Sequence, residues 1–88
     1  MLLDKNTNNY VSAQNSIEDD KSRVHHFNEP VCGYVIQNDG ETDIKITVIN
    51  NTFTVKPKEQ LSELFTPFTA VEIDTMDQAV PYRAYGRG

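Results

Sequence analysis

Tryptophan is absent and cysteine occurs once, at Cys32. An intrachain disulfide is thereby excluded, and with it the staple that many small domains rely on. Basic residues are scarce: 8 Lys and Arg against 13 Asp and Glu give a net charge of −5. A phosphate-binding surface needs clustered Lys and Arg, so nucleic acid is not an expected partner, nor is an anionic membrane. No apolar run approaches the roughly 20 residues of a membrane span. Met1-Leu2-Leu3 passes at once into Asp4 and an Asn-rich stretch instead of a signal-peptide apolar core, and synthesis in the cytoplasm is the expectation.

Familiar catalytic and metal patterns are missing as well. The histidines are the adjacent pair His25-His26. Neighbours in an extended chain point to opposite sides, and no further ligands sit at metal spacing. Both read as solvated arm residues, and neither a metal nor a cofactor is expected. Cys32 lies in an apolar run with Glu29 close by, not in the electropositive setting that activates a thiol, so it reads as a packing residue. Glu18-Asp19-Asp20 and the acids of 39–43 lack a calcium-loop pattern. With no P-loop, nucleophile elbow or dinucleotide fingerprint, no catalytic residue is assigned and no enzyme is expected.

Apolar residues make up 38% of the 88, below the usual share, and they are unevenly placed. Residues 1–29 form a polar arm in which Leu2, Leu3, Tyr10, Val11, Ile17 and Phe27 stand apart as single apolar anchors. Ser16 before Ile17-Glu18-Asp19-Asp20 is the one helix-start pattern in it. Pro30 disfavours helix at Glu29 and opens a small β-domain over 30–88. VCGYVIQ (31–37) reads as a strand and NDGETD (38–43) as a turn. IKITVI and TFTVKP flank Asn50-Asn51, which reads as a two-residue type I′ hairpin loop. That register pairs Val48 with Phe53 and Ile46 with Val55. Ile44, Ile46, Val48, Phe53 and Val55 then share a buried face, and Lys45, Thr47, Ile49, Thr52, Thr54 and Lys56 a wet one. QLSELF (60–65) favours an extended conformation, Pro67 interrupts regular pairing, and AVEID (70–74) alternates inward and outward. TMDQ (75–78) turns the chain, and VPYRAY (80–85) is a last strand. The fold class expected is all-β: a small antiparallel β-sandwich or open barrel behind an extended, mostly irregular N-terminal arm.

Tyr82, Arg83 and Tyr85 cluster near the C-terminus, and Tyr and Arg are over-represented at binding hot spots. With Tyr34 and Phe68 they form a candidate surface for a protein or a sugar. The arm anchors and this cluster are the candidate partner-binding residues.

From Asn38 to Gly86 the motifs DIKITVIN (43–50), FTVKPKE (53–59), FTPF (65–68), VEI (71–73) and YRAYG (82–86) resemble small β-domains of phage and prophage virion accessory proteins. Lys58 stands where such domains carry Gly. The resemblance implies a head or tail decoration or appendage, with no catalytic residues to transfer. The expectation is a non-enzymatic virion component, made in the host cytoplasm, that attaches through its arm to copies of itself or to other virion subunits and so belongs to an oligomer or larger assembly. Domains of about 60 residues often lean on such contacts for stability. The alternative is a small acidic phage-type regulator that binds a host protein.

Overall fold

Across the second half of the chain β-branched and aromatic residues recur at alternate positions, a pattern that buries one face of each strand. The computed structural model describes residues 16–88. It contains β1 (Ile17–Asp19), β2 (Arg23–Asn38), β3 (Ile44–Val48), β4 (Asn51–Val55), β5 (Gln60–Asp74) and β6 (Tyr82–Arg87). All pairs are antiparallel, in one sheet of order β1-β6-β2-β5-β3-β4. The expected all-β, antiparallel class is what the chain adopts.

β2 and β5 span 16 and 15 residues, well beyond the usual strand of about 5–6. Each serves twice. Residues 33–38 of β2 and 60–64 of β5 lie in one layer with β6 and β1, whereas 23–26 of β2 and 70–74 of β5 lie in a second layer with β3 and β4. Between the layers the β2–β5 register breaks twice. Residues 27–30 face Thr69 alone, and residues 65–67 face Cys32 alone. Pro30 and Pro67 fall within these bulges, where a residue without an N–H does least harm to the ladder.

The breaks fold the sheet onto itself. His25 and Tyr34 are nine positions apart on one strand, about 30 Å if it were straight, yet His25 Nδ1 lies 2.8 Å from Tyr34 Oη. A Cβ on Gly86 would meet the Phe27 ring at 2.6 Å, although Gly86 pairs with Tyr34 in the other layer. Between the layers, Phe27, Tyr34 and Phe68 pack edge to face at 5.9–6.3 Å. Phe65 links Phe68 to Phe53 on β4. Ile36, Ile44, Ile46, Val48, Val71, Ile73 and Val80 complete the core, each almost fully buried.

The structure departs from the sequence expectations over residues 16–29. Residues 17–19 and 23–29, assigned to the arm, are strands, and the helix start at Ser16 does not form. Phe27 is core, not a loose anchor. His25 is buried while its neighbour His26 is exposed, so only the second of the pair faces water. Leu2, Leu3, Tyr10 and Val11 lie outside the described residues.

The 44–55 hairpin keeps its two faces but not its pairing. Ile44 faces Val55, Ile46 faces Phe53 and Thr47 faces Thr52, so the loop is Ile49-Asn50, not Asn50-Asn51. The expected register would have set Ile44 against Pro57, which cannot donate to a ladder. Val55 is instead held by the buried Asn38, whose Nδ2 donates to Val55 O at 2.9 Å. Pro57 is left to make a turn closed by Glu59 N donating to Lys56 O. Lys58 sits at its glycine position with φ 68°. One consequence is strain: Ile49 adopts φ 47°, a left-handed conformation that costs a side chain about 1–2 kcal/mol.

Val48→Asp is expected to unfold the protein, since an unpaired buried carboxylate costs several kcal/mol, comparable to the stability of a small domain. Thr54→Asp, on the wet face, is expected to change stability by less than about 0.5 kcal/mol in urea melts; equal losses would show that both faces are buried. Because Ile49 is 45% exposed, Ile49→Asn is expected to gain about 1 kcal/mol and raise the melting temperature by about 4–8 °C. A lower midpoint would mean that the Ile49 side chain contributes packing that outweighs its backbone strain.

Candidate functional site

The outward face of the first layer gathers residues far apart in sequence. Glu18 on β1 faces Arg83 on β6, Arg83 faces Gln37 on β2, and Gln37 faces Gln60 on β5. These four side chains therefore form one row across four strands, at steps of about 4.8 Å. In the adjoining row Tyr85 faces Val35, and Val35 faces Ser62. An open groove of about 500 Å³ runs over both rows and is bordered also by Ser16, Ile17 and Ala84.

Arg83 is held in place within this groove. Its Nε donates to Asp39 Oδ2 at 2.8 Å and its Nη2 to Asp39 Oδ1 at 3.1 Å, a two-pronged contact. The Arg83 hydrogen bond holds the Asp39 carboxyl below its ordinary range. Asp39 in turn raises Arg83, with the Glu18 charge adding to the effect. Asp39 is set in place by the turn it belongs to, where Asn38 Oδ1 accepts from Gly40 N at 2.8 Å and Asp39 N donates to Pro81 O at 2.9 Å. Gln37 makes one long bond, Nε2 to Asn38 O at 3.4 Å. Among the described residues, the exposed side chains of Glu18 and Gln60 make no hydrogen bond to protein.

Of the residues singled out from the sequence, Arg83 and Tyr85 meet in the groove. Ile17 borders it but shares the inward face with Ala84 and packs on the core. Phe27 and Tyr82 are buried, and Tyr34 and Phe68 lie beside them in the core. The Tyr82 hydroxyl donates to Lys21 O at 2.7 Å. Burial, with the Asp19 charge second, pushes the Tyr82 phenol up to about 12. Burial also raises the Tyr34 phenol, whose oxygen meets His25. Glu18, Gln37 and Gln60 were not apparent as site residues, because only the pairing of strands that are not consecutive aligns them. Cys32 sits half-buried at the bulge, apart from the groove. No group of three or more His, Cys, Asp or Glu among the described residues could hold a metal ion.

No family model and no curated protein matches the sequence. Among solved structures, a de novo designed double-stranded β-helix determined by solution NMR is similar. The TM-score is 0.56 at 12% identity, over 82% of this chain and 95% of the designed one. At that identity the likeness concerns the fold, and it agrees with the doubling of β2 and β5 into two layers.

The Arg83–Asp39 pair sets a pH dependence. A carboxyl lowered by folding adds stability above its unfolded value, and that stability is lost as the pH falls through the folded one. The pair is exposed, so its effect on overall stability is small, and the carboxyl itself is the better probe. In ¹³C-detected titrations Asp39 is expected to titrate below the ordinary 3.8 and to return toward it in Arg83→Gln. An unchanged Asp39 titration in the variant would show that Arg83 is not its partner in solution.

Proposed function

We propose that this chain is a non-enzymatic structural and assembly protein, a head or tail accessory of a phage particle, attached through its N-terminal residues and presenting the outer groove as its recognition surface. The observation that carries the reading is where polar side chains gather outside the core. The aromatic side chains between the layers are committed to the core, while Glu18, Gln37, Gln60 and Arg83 converge on one open groove. Its border includes Ser16, the point at which residues 1–15 join the body. Glu18 is the sole carboxylate among the groove's lining residues, whereas glycoside hydrolysis generally employs two; this supports binding over cleavage. The particle context comes from the resemblance of the 43–86 motifs to virion accessory domains.

Tagging the C-terminus of the chain in its own genome and purifying released particles on a density gradient tests the reading. Recovery in fixed proportion to the particle is expected, and deletion of residues 2–15 is expected to lower it about tenfold or more, the equivalent of about 1.4 kcal/mol of attachment. A chain found only in the soluble cell fraction would contradict a place on the particle.

A further inference from the structure

We infer that the outer groove is a binding site for a neutral oligosaccharide. This rests on the reading of that face as the recognition surface, and it names the chemistry the face would recognise.

The row Glu18–Arg83–Gln37–Gln60 offers a carboxylate, a guanidinium and two carboxamides side by side. A sugar hydroxyl donates and accepts at once, and vicinal pairs of hydroxyls match groups that present two polar atoms in a plane. Carboxamides offer both roles within one side chain. Asp39 engages Nε and Nη2 of Arg83, which leaves the Nη1 donors free. The step between strands, about 4.8 Å, is close to the advance of one pyranose ring along a glycan. Successive rings can therefore meet successive strands. Beside the polar row, Tyr85 supplies a half-buried aromatic ring next to the buried Val35. An aromatic ring joins an apolar body to a polar tip, which suits the C–H face of a sugar flanked by hydroxyls.

Size and charge narrow the class. A groove of about 500 Å³ lies within the range of small-ligand sites, and its openness suits a chain lying across the face. Arg83 already carries Asp39 on one side and meets the Glu18 charge on the other. That arrangement leaves no surplus positive charge for uronate, sialate or phosphate, so the site selects uncharged sugars. An exposed row of this kind binds each ring weakly, and repetition of the chain on a particle would multiply the effect.

The test is an NMR titration of the ¹⁵N-labelled full chain with cellotriose, maltotriose, chitotriose and, as an acidic counterpart, trigalacturonate. Saturable amide shifts confined to β1, β6, 33–38 and 60–62 are expected with at least one neutral trisaccharide and not with trigalacturonate. Gln60→Ala is expected to weaken that binding about tenfold, and Tyr85→Ala at least as much. Gln60 is exposed, so its variant retains the fold even if Tyr85→Ala does not. Absence of saturable shifts with all three neutral sugars would overturn the inference, as would binding unaltered by Gln60→Ala. Particle recovery of the same variants separates the two readings. If Gln60→Ala lowers recovery while no trisaccharide binds, the groove recognises protein and only the sugar assignment falls. If sugar binds but the chain is absent from particles, only the particle role falls.

Discussion

β2 and β5 bend together where Pro30 and Pro67 interrupt their ladder, and every other strand is hung on one half or the other of this pair. A straight two-stranded ribbon of such length would expose a long apolar face on each side of the break. Bending brings those faces into contact. Phe27 comes against Gly86, His25 against Tyr34, and Phe68 fits between the rings. Gly86 matters at this point because any side chain there would occupy the volume of the Phe27 ring. A small chain without a disulfide thus builds a two-layer core by using two strands twice.

The closed arrangement buries polar groups, and those groups are paired. Asn38 is fully buried; its side chain donates to Thr42 O and Val55 O and accepts from Gly40 N. Its backbone bonds to Glu59 and Lys58. One residue therefore fixes both the 39–43 turn and the 56–59 turn, and through Val55 the register of the hairpin. Beside it, where Tyr82 pairs with Asn38, Tyr82 Oη reaches Lys21 O, Thr75 N reaches Ser22 Oγ, and Val80 N reaches Asp20 O. No buried side-chain nitrogen or oxygen among the described residues lacks a partner. Such completeness is what makes buried polar groups tolerable in a core this small.

Much of this was legible in the sequence, and the failures have physical causes. Alternation disclosed the hairpin faces and the inward Val71 and Ile73, because a period of two survives wherever a strand is regular. It failed across β2, where His25, Phe27 and Val31 are buried up to and within the bulges and Tyr34, Ile36 and Asn38 after them, with Gly33 and Val35 buried as well. The bulge shifts the phase, and a histidine and an asparagine serve as core residues. A segment with those features reads as polar arm. Loop chemistry favoured Asn50-Asn51, but contacts distant in sequence, through Asn38 and Pro57, set the register and forced Ile49 into an unfavourable conformation. Part of the candidate groove was visible, since Arg83 and Tyr85 are close in sequence; Glu18, Gln37 and Gln60 join them only through strand pairing. Tyr82, next to Arg83, alternates inward.

The proposed role is argued from the same geometry. Folding the sheet over turns the side chains of one layer's outer face into a single continuous surface, and the cross-strand row on that surface exists only because β6 docks on the folded-back half of β2 and β1 on β6. The fold-over is thus the claim on which core, groove and proposed role all rest. Nuclear Overhauser contacts in the ¹³C,¹⁵N-labelled protein test it most directly. Cross-peaks between the Phe27 ring and the Gly86 α-protons, and between the His25 and Tyr34 rings, are required by the folded sheet. Ladder contacts along β2 and β5 without those cross-peaks would mean a flat sheet and contradict it.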